Sequence, residues 1–336
     1  MHRLRRPARL AAVAVVPVVL VVGLGGCSAS TSSPSTSSTS SSPATTASAL
    51  PDGAALVAST GGQPCGVLAT ASAVWVSLAD TGTLLRLDPK TGATLGSTAL
   101  DRTPCEILSA AGSLWVVTQS GVVDRVDPAT GAVVARIEVG EASYEAAWAA
   151  GSVWVSNRGS GTLSRIDPAT DRVVATVRLP IPHPGGLVAV GRTLWIGNDG
   201  SGATDVVVLD TATSATRRVP VGPRPAYVTS AGGAVWFSLV ERSSVARVDP
   251  RTRSVLGTSP AGARPVNLAP GADGRSVWVP DDAGDVVTRL DARTGAVMAT
   301  VPVGAGPAVV DAGPDGRVWV TLYDAGEVWA LDPDAG

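Results

Sequence analysis

Ser152-Val153-Trp154-Val155-Ser156, then Thr162-Leu163-Ser164-Arg165-Ile166-Asp167-Pro168-Ala169-Thr170, then Arg172-Val173-Val174-Ala175-Thr176-Val177 form a phrase that the chain repeats. Its tryptophan recurs at Trp75, Trp115, Trp154, Trp195, Trp236, Trp278 and Trp319, with gaps of 40, 39, 41, 41, 42 and 41 residues. An aspartate follows each tryptophan by 12 to 15 positions, at Asp88, Asp127, Asp167, Asp210, Asp249, Asp291 and Asp332. Seven copies at a period near 40 residues mark a propeller or solenoid array. Within each copy apolar positions alternate, as in short half-buried strands. The second copy reads as Cys105-Glu106-Ile107-Leu108 (strand A), Ser113-Leu114-Trp115-Val116-Val117 (B), Val122-Val123-Asp124-Arg125-Val126 (C) and Ala132-Val133-Val134-Ala135-Arg136-Ile137 (D). Four short antiparallel strands per repeat are one propeller blade. The expectation is all-β: a seven-bladed β-propeller of four-stranded antiparallel blades over residues 53–336.

Between strands C and D sits Asp127-Pro128-Ala129-Thr130-Gly131, echoed in Asp88-Pro89-Lys90-Thr91-Gly92 and Asp167-Pro168-Ala169-Thr170-Asp171. Asp caps such a turn, Pro presets φ, and the late Gly permits a positive φ, so these aspartates read as structural. One Trp per blade at regular spacing reads as packing between neighbouring sheets, with each N–H seeking a backbone carbonyl. Trp148 and Trp329 fall outside that register. The seventh copy stops after its third strand, whereas Gly53-Ala54-Ala55-Leu56-Val57-Ala58-Ser59-Thr60 matches the fourth strand of the sixth copy, Gly295-Ala296-Val297-Met298-Ala299-Thr300-Val301. Residues 53–59 are therefore expected to complete the seventh blade and close the ring, which removes open sheet edges.

The amino terminus reads as a targeting segment. Arg3, Arg5, Arg6 and Arg9 precede an apolar run from Leu10 to Leu24, too short for a spanning helix and apt for export. It ends in Leu24-Gly25-Gly26-Cys27, which resembles the bacterial lipobox and makes residues 1–26 a lipoprotein signal peptide with Cys27 lipidated; an ordinary signal peptide is the alternative. Residues 28–49 hold 16 Ser or Thr out of 22. With no apolar side chain larger than Ala, they cannot offset the entropy of ordering, so residues 27–52 form a tether. The predicted location is extracytoplasmic, on the outer face of the bacterial cell membrane. The membrane is met through the lipid alone, and the chain is expected to be a monomer.

Beyond residue 27 the chain carries 22 basic and 28 acidic groups, the wrong balance for nucleic-acid binding. Cys65 and Cys105 each precede their blade's Trp by ten residues, at the inner edge of adjacent blades. Cα atoms of neighbouring innermost strands come within bridging distance and export permits oxidation, so a Cys65–Cys105 disulfide is expected, with two buried thiols as the alternative. Strand-A entries and B–C loops surround one mouth of a propeller channel. Entries such as Ser143-Tyr144-Glu145, Pro225-Ala226-Tyr227 and Pro265-Val266-Asn267 vary from blade to blade where the Trp does not. The candidate ligand-binding residues are Glu106, Tyr144, Glu145, His183, Arg224, Tyr227, Arg264, Asn267 and Asp311. Convergent polar groups in a concavity mark a binding site; a solvated funnel is the bland alternative. His183 is the one histidine beyond His2, so neither a histidine-rich metal site nor a two-histidine mechanism is available. No catalytic residue, metal or cofactor is assigned, and Asn198-Asp199-Gly200-Ser201-Gly202 and Asp281-Asp282-Ala283-Gly284-Asp285 read as turns.

The phrases around Trp154 and Asp167, repeated over residues 53–336, resemble the YVTN/YncE-like seven-bladed propellers, whose neighbours are the streptogramin (virginiamycin B) lyase-like propellers. Resemblance to the lyases implies histidines and a glutamate holding magnesium at the channel mouth, in a Pro-His-Gly context. The corresponding stretch here is Pro182-His183-Pro184-Gly185, with Pro184 inserted. The reading that follows is an exported propeller binding a small ligand, an envelope component or a protein partner at its mouth, without catalysis. A lyase-like enzyme and a passive scaffold are the alternatives.

Overall fold

The structure, a computed structural model, describes residues 54–100 and 102–334. The signal segment, Cys27 and the tether lie outside the described residues. Among the described residues twenty-eight strands form seven separate four-stranded antiparallel sheets, and six of these take their strands in chain order. The second blade is Pro104–Ala110, Ser113–Thr118, Val122–Val126 and Val133–Glu138, against the expected strands within two residues. The seventh runs Ala54–Ser59, Glu327–Leu331, Val318–Leu322, Pro307–Ala312, so its outer strand comes from the start of the propeller sequence. Val57 lies opposite Trp329 and Ser59 opposite Glu327 in that pairing. Among the described residues no helix is long and apolar enough to cross a membrane.

The seven repeated tryptophans are at most 2 % exposed and fill the seams between neighbouring sheets. Trp115, Trp154 and Trp236 donate their ring N–H to the carbonyls of Ala110, Ala149 and Ala231. A second device accompanies the ring. The strand-C residue directly opposite the Trp is arginine in five blades, at Arg86, Arg125, Arg165, Arg247 and Arg289. Each guanidinium stacks 5.2–5.8 Å from the indole centroid, a cation–π contact sheltered from water. Arg86 and Arg125 then reach the next blade's C–D turn, donating to the carbonyls of Ala129 and Pro168. Asp88, Asp127, Asp210, Asp249 and Asp291 cap their own turns, each accepting two backbone N–H groups. Those bonds hold the carboxyls of Asp88, Asp127 and Asp249 below the usual range, while Asp210 is lowered first by the Arg192 guanidinium and Asp291 first by the Thr294 hydroxyl, with the backbone N–H groups adding to both. Trp329 joins the core, whereas Trp148 stays exposed.

Candidate functional site

The innermost strand of each blade is not regular, and that irregularity builds the site. In six blades the pairing of strands A and B shifts register just inside the entry proline or serine, as between Ser143 and Ala146 or Pro225 and Val228. A bulge turns the extra residues out of the ladder, here toward the channel. It also leaves an N–H that the ladder cannot satisfy. A hydroxyl two residues after the tryptophan accepts it: Ser77 from Gly66, Ser156 from Glu145, Ser238 from Tyr227 and Thr321 from Val309. Glu145 and Tyr227 are thus fixed at their own backbone.

The pairing defines equivalent positions around the ring. Opposite the seven tryptophans lie Leu68, Leu108, Ala147, Val188, Thr229, Ala269 and Asp311. Two residues earlier, nearer the mouth, come Gly66, Glu106, Glu145, Gly186, Tyr227, Asn267 and Val309. Glycine in the fourth blade has a steric cause, because a Cβ on Gly186 would come 2.7 Å from the Val228 nitrogen. The inner strands of blades four and five approach too closely for a side chain there. Tyr144 and Tyr227 lean across this gap, and the Tyr144 hydroxyl donates to the Tyr227 hydroxyl at 2.7 Å.

Under this tyrosine pair is a cavity of about 190 Å³, lined by Glu106, Tyr144, Glu145, Tyr227, Asn267, Cys65 and Cys105 among others. Glu106, Glu145 and Asn267 also line a second hollow of about 180 Å³ deeper in the channel, where Asp311 sits. The two cysteines are bonded to each other, with Cα atoms 4.8 Å apart. The bridge staples the first two blades beside the cavity, and such bonds persist in oxidising compartments.

Of the candidates, Glu106, Tyr144, Glu145, Tyr227 and Asn267 come together around one space. Asp311 lies one step deeper and accepts the Ala69 N–H at 2.8 Å. Arg224 and Arg264 do not line the cavity. Arg224 is engaged by Asp199 at 2.8 Å and Arg264 by Asp282. His183 sits exposed on its turn, with Nδ1 3.4 Å from the Arg158 carbonyl. Asp199, Asp282, Arg158 and Gln119 are the residues the sequence reading passed over. Asp199 is buried and holds both Arg158, at 2.6 Å, and Arg224. Arg158 in turn lies 5.7 Å from the Tyr144 ring centroid. Asp282 and Gln119 line the cavity itself. Asn198 and Asp281 do serve their turns, Asn198 accepting the Gly200 N–H at 3.3 Å and Asp281 the N–H groups of Ala263 and Arg264 at 2.7 Å.

The channel carboxyls hold their protons unusually well. Glu106 is pushed well above the ordinary range, first by burial and then by the charges of Glu145 and Asp311. Burial raises Glu145 to about 7, against the Leu187 N–H that donates to it at 3.0 Å and with help from Asp199. Asp311 rises to about 6 through burial, opposed by the N–H groups of Ala69 and Ala312. What accessibility these groups keep is toward the channel lumen. Burial also lifts both phenols. The donor, Tyr144, is raised further by its bond, while the acceptor, Tyr227, is eased back and settles at about 12.

Magnesium, which resemblance to the lyases implies, finds no matching donor set. Among the described residues no three His, Cys, Asp or Glu side chains converge to hold an ion, and His183 is outside the cavity.

No protein-family model matches the sequence, and no curated protein matches it. Solved structures do match in fold. A streptogramin B lyase superposes with a TM-score of 0.71 at 16% identity, covering 84% of this chain and 96% of that one. Virginiamycin B lyase from Staphylococcus aureus gives 0.71 at 15%, covering 82% and 98%. Hydrazine synthase of Kuenenia stuttgartiensis gives 0.70 at 17%, covering 82% and 96%. At such identities the likeness is one of architecture: this chain is a seven-bladed β-propeller with the fold of the streptogramin B lyases.

Proposed function

We propose that the chain is an exported propeller, lipid-anchored through Cys27, whose channel mouth binds a small ligand, an envelope component or a segment of a protein partner without transforming it. The observation that carries this reading is the cavity under the Tyr144–Tyr227 pair, into which side chains from blades two, three, five and six converge. Apolar walls with a few fixed polar groups are what ligand recognition uses. The bulges and their hydroxyl partners hold those groups before any ligand arrives, which lowers the entropy of binding. The Cys65–Cys105 bridge supports export, and the Ser/Thr-rich residues 28–49 supply reach from a membrane surface. A thermal-shift screen of the full-length protein against envelope components and small molecules tests the reading. At least one compound raises the melting temperature, and the shift is lost in Tyr227→Ala. A screen with no such compound refutes it.

A lyase-like activity is the second reading, favoured by the likeness to the streptogramin B lyases. Magnesium-dependent turnover of a cyclic streptogramin, abolished by His183→Ala, would establish it in place of the first.

A further inference from the structure

Around the mouth, five acids face three guanidinium groups. Arg158 and Arg224 are both engaged by Asp199, and Arg264 is engaged by Asp282. The rim therefore keeps one surplus positive charge, shared by Arg158 and Arg224 on Asp199, but among the described residues no guanidinium forms an ion pair with the channel carboxyls of Glu106, Glu145 and Asp311. Glu145 accepts the Leu187 N–H, and Asp311 has the N–H groups of Ala69 and Ala312. The Glu106 carboxyl receives no hydrogen bond from any described residue; it is half-buried and faces both hollows of the channel. An acid with so little water around it is costly when ionised, and a partner that supplies positive charge relieves the cost. Two aromatic rings, Tyr144 and Tyr227, stand over the same space with centroids 6.0 Å apart, and aromatic faces attract cations that have shed water.

Resting on the reading of the mouth as a ligand site, we propose that its occupant is a small organic cation, an ammonium group seated beside Glu106 and Glu145 against the two tyrosine rings. The size follows from the cavity. At about 30 Å³ for each water-sized group, 190 Å³ holds roughly six, which suits an ammonium bearing a few carbons. A bare metal ion suits it poorly, because no three acidic side chains converge on one point among the described residues.

The test is isothermal titration calorimetry of the full-length protein with three probes: tetramethylammonium chloride, its neutral counterpart tert-butanol, and magnesium chloride. Tetramethylammonium is expected to bind, tert-butanol and magnesium are not, and Glu106→Gln is expected to weaken the ammonium at least tenfold. A melting curve for Glu106→Gln, expected no lower than that of the unsubstituted protein, shows that the variant is folded. Equal binding of tert-butanol, or ammonium binding unchanged in Glu106→Gln, overturns the proposal. So does magnesium binding that displaces the ammonium. If the ammonium fails while a neutral or anionic compound binds and loses its effect in Tyr227→Ala, the charge class is wrong and the mouth stands. If nothing binds in a Tyr227-dependent way, both readings fall together.

Discussion

Glu145→Gln removes one channel charge while keeping the shape of the side chain and an oxygen for the Leu187 N–H. Its effect on stability follows from where the carboxyl titrates. Burial and Asp199 raise Glu145 from 4.5 to about 7 in the folded chain. A group whose folded pKa is raised contributes stability that is complete below the unfolded value and is lost as pH rises through the folded one. At about 1.4 kcal/mol per unit, the loss above pH 7 is about 3 kcal/mol. The glutamine variant never carries the charge and does not suffer the loss. For a ring of about 280 residues that difference corresponds to a melting temperature roughly 5 °C higher. The charge of Asp199 pushes Glu145 in the same direction as burial, and Glu145 in turn raises Glu106. Thermal melts by circular dichroism at pH 5 and pH 8.5 decide the matter. The two proteins should melt together within about 1 °C at pH 5 and separate at pH 8.5, the variant being the more stable. Coincident curves at pH 8.5, or the same gap at both values, would refute the argument from burial.

Other perturbations address separate parts of the account. Replacing Cys65 and Cys105 together by serine opens a closed loop of 40 residues and is expected to cost up to about 4 kcal/mol, read as a lower denaturant midpoint. Gly197→Ala places a Cβ 2.0 Å from the Ala226 carbonyl oxygen, so chemical denaturation should show a loss of at least 2 kcal/mol, about the cost of overpacking. Trp154→Ala empties a fully buried seam and should cost about 3 to 5 kcal/mol by the same assay. Deleting residues 53–60 strips the outer strand from the seventh sheet and should lower the melting temperature of the whole domain in one transition, whereas an unchanged melt would mean that the ring does not depend on that strand.

The sequence exposed the architecture because each blade repeats the same packing problem. Every seam needs a large ring, and every C–D turn needs a cap, so Trp and Asp return on a fixed period. The site was legible for the opposite reason. Glu106, Tyr144, Glu145, Tyr227 and Asn267 occupy positions where the repeat varies, and the structure gathers them around one cavity. Arg224 and Arg264 varied too, but their charge is used up by Asp199 and Asp282, a pairing that depends on B–C loop geometry and leaves no period in the sequence. Asp311 lies one step down the channel because it is the residue opposite Trp319, two positions past Val309, which holds the place that Glu106, Glu145, Tyr227 and Asn267 hold in their own blades. A readable signal was passed over in Ser77, Ser156, Ser238 and Thr321. A hydroxyl at a fixed place in an otherwise apolar strand announces an N–H that needs a partner.

A crystal structure of the protein soaked with any compound that shifts its melting temperature is the most direct measurement. The account places the compound under the Tyr144–Tyr227 pair, in contact with Glu106 or Glu145. Density on an outer strand, at the far end of the channel near Trp148, or in the clefts between blades, with the cavity left empty, would contradict it.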